Sequence, residues 1–162
     1  MEHQSVDRFM THHPITIERG EPISSARRLM LTHCIRHLPV LHAGKLVGMV
    51  SQGDLERFDR AVDVDQRLVP VGEAMTTPAY SVLVDASLRE VAAQMSSRRC
   101  GAAVVIDDQQ CVVGLITDVD GLRALSFLLD PAPFREPAAD AMAECCRPSA
   151  AVDASPNEPG RR

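Results

Sequence analysis

The chain of 162 residues has no tryptophan, one tyrosine and four phenylalanines. So few rings exclude a platform on which exposed nucleobases stack. Positive charge is short as well: 17 Lys and Arg stand against 22 Asp and Glu, a net charge of −5. That balance leaves no broad basic field for nucleic acid or anionic lipid. No apolar run approaches the roughly 20 residues of a membrane span, and Met1 to Ser5 lack the basic start and apolar stretch of a signal peptide. The five cysteines (34, 100, 111, 145 and 146) are odd in number and lack paired metal-ligand spacing. Cys34, Cys100 and Cys111 sit among apolar neighbours, as small core hydrophobes do. These features predict a cytoplasmic, reduced chain with no membrane or nucleic-acid partner. No Ser/His/Asp order, nucleophilic cysteine context or Gly-rich phosphate loop is evident, so no enzyme is expected.

What is present is present twice. Met10, Ile17, Ile23 and Met30 are answered by Met75, Val82, Leu88 and Met95, each 65 positions later. Met10-Thr11-His12-His13-Pro14 matches Met75-Thr76-Thr77-Pro78, and Gly48-Met49-Val50-Ser51-Gln52-Gly53-Asp54 matches Gly114-Leu115-Ile116-Thr117-Asp118-Val119-Asp120. Two related units side by side imply a pseudo-twofold axis, and ligands commonly sit where such units meet.

Each unit reads as β-α-β-β-α. Pro14 to Ile17 and Ala79 to Val82 are rich in β-formers. A helix follows, with Pro22 in its opening turn and Ile23, Ala26 and Met30 as its stripe in the first unit. In the second, Asp85 is the expected N-cap, and Leu88, Val91, Ala92 and Met95 form the stripe. Two short strands come next, around Ala43-Gly44-Lys45 in one unit and Asp107 to Gln110 in the other. Gly48 and Gly114 lie inside the last strands, where a missing side chain permits close approach by another backbone or a ligand. The closing helices are expected near Asp54 and Asp120. This divides the chain into residues 1–61, a connection over 62–70, residues 71–130, and a tail over 131–162. Six of the 11 prolines fall in that tail (131, 133, 137, 148, 156 and 159). It is expected to be largely disordered, the alternative over Ala138 to Cys146 being a short helix.

The doubled grammar resembles the CBS-domain pair, or Bateman module, over about residues 5 to 128. The marks are Met-Thr-x-x-Pro at the start, Arg36-His37-Leu38-Pro39-Val40 before a middle strand, and Gly-h-h-[Ser/Thr]-x-x-Asp at each end, h being apolar. The resemblance implies an α/β (α+β) fold of tandem repeats packed as a pseudo-twofold disc. It also implies a regulatory ligand-binding module, often paired into a homodimer. The usual cargo is adenosine-containing: AMP, ADP, ATP or S-adenosylmethionine. No cofactor would be required, and the signal would pass to an effector protein not fused to the pair.

The residues argue in the same direction. A strand leading into a helix presents a hydroxyl and unpaired N–H groups to an anion, as at Ser51 and Gly53, and at Thr117 and Val119. Asp54 and Asp120 could accept from a ribose diol, or could be plain helix caps. One such motif favours the cap, and two in register favour a ligand. Arg36 and His37 suit a phosphate, Arg36 through its fork of donors, unless they are a solvated pair. The second unit has Gly101-Ala102 there, so the two clefts are expected to differ. Arg57 and Arg123, one turn beyond each aspartate, read more readily as its ion-pair partners than as phosphate ligands. By resemblance, the segments Thr16-Ile17 and Tyr80-Ser81 would hold adenine through main-chain contacts and apolar packing, and Leu38, Pro39 and Ala103 are further expected ligand-binding positions. Tyr80 would stack on a base or simply be a half-buried tyrosine. His12, His13, His33, His37 and His42 do not make a metal site by spacing, although His33 and His37 lie four apart across a helix end. Exposed apolar faces are expected on the closing helices, at Phe58 and Val62 and at Leu122, Leu125 and Leu128. They favour self-association. The competing reading is an interaction or dimerisation module with degenerate clefts.

Overall fold

The structure, a computed structural model, describes residues 4–61, 65 and 68–129. The connection over 62–70 is therefore described only in part, and the predicted tail and Val62 lie outside the described residues. Each repeat contributes a parallel β-α-β crossover followed by a hairpin. In the first, β2 (Ile17–Glu18) runs through α1 (Ile23–His33) to β3 (His37–His42), and β4 (Lys45–Ser51) returns antiparallel before α2 (Gln52–Ala61). In the second, β5 (Ser81–Leu83), α3 (Leu88–Arg98), β6 (Ala102–Ile106), β7 (Val112–Thr117) and α4 (Asp118–Leu129) repeat that path. A further strand, β1 (Thr11–His12), precedes both. Among the described residues the strands form a three-stranded sheet, β2-β3-β4, and a four-stranded sheet, β1-β7-β6-β5.

The helices follow from their apolar spacing. Ile23, Ala26 and Met30 of α1 are buried, as are Leu88, Val91 and Met95 of α3, whereas Ala92 is exposed. The α3 N-cap is Ser87, not Asp85, and α2 and α4 begin two residues before Asp54 and Asp120. Cys34 and Arg99 end α1 and α3 in the left-handed conformation, at φ 52° and 54°. Cys34 is exposed rather than a core hydrophobe, while Cys100 and Cys111 are half-buried free thiols.

The opening segments are exchanged between the repeats. Thr11 and His12 pair with Leu115 and Gly114 of β7, and Thr76 pairs with Met49 of β4. Val6 and Met10 are buried with Leu88, Val91 and Met95, and Val71 is buried with Ile17, Ile23 and Leu38. Equivalent backbone bonds hold both segments: Val6 N–H donates to Ala86 O (2.9 Å) and Val71 N–H to Glu21 O (2.8 Å). The sequence assigns each Met-Thr segment to the unit it precedes in the chain. In space, each completes the core of the other. Burying a side chain such as Val6 or Val71 contributes about 1.5–3 kcal/mol, so the exchange ties the two cores together. A third cluster lies between the sheets, where Met49 of β4 meets Ala102, Val104, Ile106 and Leu115. At the hairpin tips, Lys45 Nζ donates to Gln109 O at 2.9 Å.

Candidate functional site

The two hydroxyl-x-x-Asp motifs adopt one geometry. Ser51 N–H and Ser51 Oγ both donate to Asp54 Oδ2, at 2.8 and 2.5 Å, and Asp54 N–H donates back to Ser51 Oγ at 3.1 Å. Thr117 and Asp120 repeat this at 2.8, 2.8 and 3.4 Å. It is the reciprocal arrangement of a capping box, with the hydroxyl as N-cap and the aspartate at the third helical position. Both carboxylates are buried, at 8% and 5% exposure. Arg57 pairs with Asp54, and Arg123 with Asp120 at 3.3 Å. Thr76 Oγ1, from the exchanged segment, adds a bond to Asp54 Oδ1 at 3.4 Å.

Beside the first motif a cleft of about 360 Å³ opens between the repeats, lined by Arg36, His37, Ser51, Gln52, Gly53, Glu56, Gly101 and Asp118. Backbone bonds build its walls symmetrically. Gln52 N–H donates to Arg36 O (2.9 Å), and Asp118 N–H donates to Gly101 O (3.0 Å). Each helix start is thereby tied to the residue just before the middle strand of its own repeat. The side chains break that symmetry. Arg36 reaches across to within 3.7 Å of the Asp118 carboxylate. His37 packs so near Gly101 that a Cβ there would lie 3.3 Å from His37 Nε2. Burial holds the His37 imidazole below its ordinary 6.5, and Arg36 adds to that, while Asp118 and Asp54 oppose it. The imidazole is therefore neutral at pH 7.

Arg36, His37, Ser51 and Gly53 of the expected set thus meet in one cleft, and Asp54 and Arg57 adjoin it through the capping box. Ile17, Leu38, Pro39 and Ala103 are buried, so their side chains are packed in the core. Thr16 is half-buried, and Ser81 and Val119 are exposed. Tyr80 is half-buried with the Arg98 guanidinium 4.7 Å over its ring, so one ring face is already covered. Gln52, Glu56, Gly101 and Asp118 are cleft residues that the sequence reading did not place there. The signal for Gln52 and Asp118 lies in the motif itself, since each follows the hydroxyl residue directly. Among the described residues no group of three His, Cys, Asp or Glu side chains could hold a metal ion, and no helix is long and apolar enough to cross a membrane.

The model of the CBS domain matches this chain at residues 6–60 and 71–127. A homoserine O-acetyltransferase of Methanocorpusculum labreanum is 32% identical over 114 residues, which cover 70% of this chain and 22% of that protein. The chain spans 22% of that protein and 20% of an L-aspartate semialdehyde sulfurtransferase of Methanocaldococcus jannaschii, about a fifth of the length of each. Among solved structures, a Vibrio cholerae protein described as an acetoin utilization protein (AcuB) is 34% identical with a TM-score of 0.72, over 84% of this chain and all (100%) of that one. The CBS domain pair of protein MJ0100, in complex with 5′-methylthioadenosine and S-adenosyl-L-methionine, is 28% identical with a TM-score of 0.70, over 77% and 98%.

Proposed function

The chain belongs to the CBS-domain family, and from that premise we propose that it is a regulatory module rather than an enzyme, binding an adenosyl ligand between its repeats. The observation that carries this reading is the cleft itself, where Arg36 and His37 meet the Ser51–Gly53 turn. The ligand class is AMP, ADP, ATP or S-adenosylmethionine, and the adenosyl ligands bound by the MJ0100 pair support it. Asp54 would receive the ribose hydroxyls. The ribose hydroxyls would take the place of the 71% exposed Arg57 as partners of the buried Asp54 carboxylate. Arg36 would meet a phosphate or another anionic group, while main-chain groups near Thr16, Ile17, Tyr80 and Ser81 would hold the base. Ligand-dependent movement of the repeats then signals to an effector protein in the cytoplasm.

Calorimetric titration of nucleotide-stripped protein with AMP, ADP, ATP and S-adenosylmethionine tests this reading. Saturable binding that Asp54→Ala abolishes is the expected result, and Asp120→Ala separates the two clefts. A folded protein that binds none of the four would move the assignment to an interaction module. One observation favours that second reading: α4 exposes Leu122, Leu125, Leu128 and Leu129, a face that would serve a homodimer. Phe58 of α2, by contrast, packs against the first core.

A further inference from the structure

The cleft holds one guanidinium, Arg36, against two carboxylates, Glu56 and Asp118. Asp118 comes from the second repeat, and its counterpart in the first is the neutral Gln52. The Arg36–Asp118 separation of 3.7 Å is too long for a hydrogen bond, and the side chains are 59% and 58% exposed. Such a pair adds little to stability. It does decide what charge Arg36 presents to an incoming molecule. His37 does not restore the balance, since its imidazole is neutral at pH 7.

We propose that Asp118 acts as an intramolecular counter-ion on Arg36, competing with the phosphate of a bound ligand and so setting the cleft against phosphate-bearing adenosyl compounds. The inference rests on the adenosyl-binding reading above and adds a specificity-determining residue to it. A ligand without phosphate enters with the Arg36–Asp118 pair in place. AMP must separate the pair and then hold its phosphate dianion beside a free carboxylate, which raises its free energy by like-charge repulsion. The carboxylate is free to move because its remaining bond is local: Asp118 Oδ1 accepts from Val119 N–H at 2.9 Å.

Asp118→Asn tests this, because the amide oxygen keeps the bond to Val119 and only the charge is lost. Calorimetry at low salt should show the affinity for AMP relative to adenosine rising about three- to tenfold. The gain should vanish in the double variant Arg36→Gln/Asp118→Asn. An unchanged affinity for AMP relative to adenosine overturns the proposal. Should wild-type protein bind neither AMP nor adenosine, the adenosyl reading fails and inorganic phosphate becomes the probe. NMR shifts of the Arg36 side chain and the His37 ring should then report tighter phosphate binding in Asp118→Asn. Equal phosphate titrations in the two proteins overturn the counter-ion role by itself.

Discussion

Met49 and Thr76 belong to different repeats yet exchange both backbone hydrogen bonds, Met49 N–H to Thr76 O at 3.0 Å and Thr76 N–H to Met49 O at 2.8 Å. The crossing is made beside Gly48, where a Cβ would lie 2.9 Å from the Thr76 carbonyl oxygen and 2.7 Å from Met75 Sδ. At Gly114 a Cβ would meet only Met10 side-chain atoms among its nearest neighbours, Sδ at 2.2 Å first. Both glycines thus serve the exchanged segments.

Gly48→Ala should therefore destabilise by about 1–3 kcal/mol, the usual cost of overpacking, because a hydrogen-bonded backbone carbonyl cannot step aside. Gly114→Ala should cost less, since Met10 can change rotamer. Urea midpoints of the two variants check the order. A larger loss at Gly114 would show that the Met10 side chain is the stiffer obstacle.

Arg99 pays a conformational penalty at the end of α3, with φ 54° and ψ 37°. An L-residue there costs about 1–2 kcal/mol, partly offset in the glycine variant by greater freedom of the unfolded chain. Arg99→Gly should raise stability by about 0.5–1 kcal/mol, read from denaturant unfolding. A loss instead would assign the side chain a stabilising contact.

The repeat, its helices and its hairpins were legible because apolar periodicity is a local signal: Ile23, Ala26 and Met30 carry it whatever surrounds them. The exchange was not legible. Val6 and Met10 have the spacing of a buried turn, but nothing in that spacing says which core receives them. Ser51-x-x-Asp54 was ambiguous for a chemical reason, since a hydroxyl and a carboxylate three residues apart suit both a capping box and a ligand-binding turn. The structure shows that the cap is formed, which leaves Asp54 buried and poised beside the cleft. Asp118 is not legible as a cleft residue, because its relation to Arg36 exists only across the pseudo-twofold axis and the motif itself gives no reason to prefer that x position.

His37 should make stability depend on pH. The unfolded imidazole titrates near 6.5 and the folded one lower, held down chiefly by burial. Between those values the unfolded chain binds the extra proton, so stability falls as pH drops below about 6.5 and levels off beneath the folded value. His37→Gln should lose that contribution, so its stability relative to wild type improves from pH 7.5 towards pH 5. Parallel curves for the two proteins would mean that His37 titrates alike in both states. NMR should also show the His37 pKa moving further down in Asp118→Asn, because the carboxylate that opposes burial is gone.

The aspartates carry stability as well as chemistry. Asp54→Ala leaves Ser51 N–H and Arg57 without their partner and removes one half of the cap, at a cost of about 1–2 kcal/mol. Asp120→Ala should cost somewhat less, since Asp54 alone also receives the hydroxyl of Thr76 at 3.4 Å. Thermal unfolding of the two variants checks the order. Equal losses would assign no strength to the Thr76 bond.

The exposed row on α4 predicts the assembly state. Leu122 and Leu125 are 67% and 51% exposed, three residues apart on one side of the helix. Neither supports the core, so Leu122→Glu/Leu125→Glu should shift folding stability by no more than about 0.5 kcal/mol per site. If this face covers a second copy, sedimentation velocity should show a wild-type dimer and a folded monomeric variant. A wild-type monomer at tens of micromolar would instead leave the row to a different partner, and a variant that remains dimeric would place the dimer contact elsewhere on the disc. The position of α4 gives this test a bearing on ligand sensing. Its first residue, Asp118, lines the cleft and faces Arg36, while the leucines lie one to three turns along the same helix. A ligand that separates Arg36 from Asp118 therefore acts on the first turn of the element that carries the exposed row. The dimer constant measured with and without saturating AMP should differ, because a ligand that favours one placement of α4 must by linkage alter whatever that helix binds.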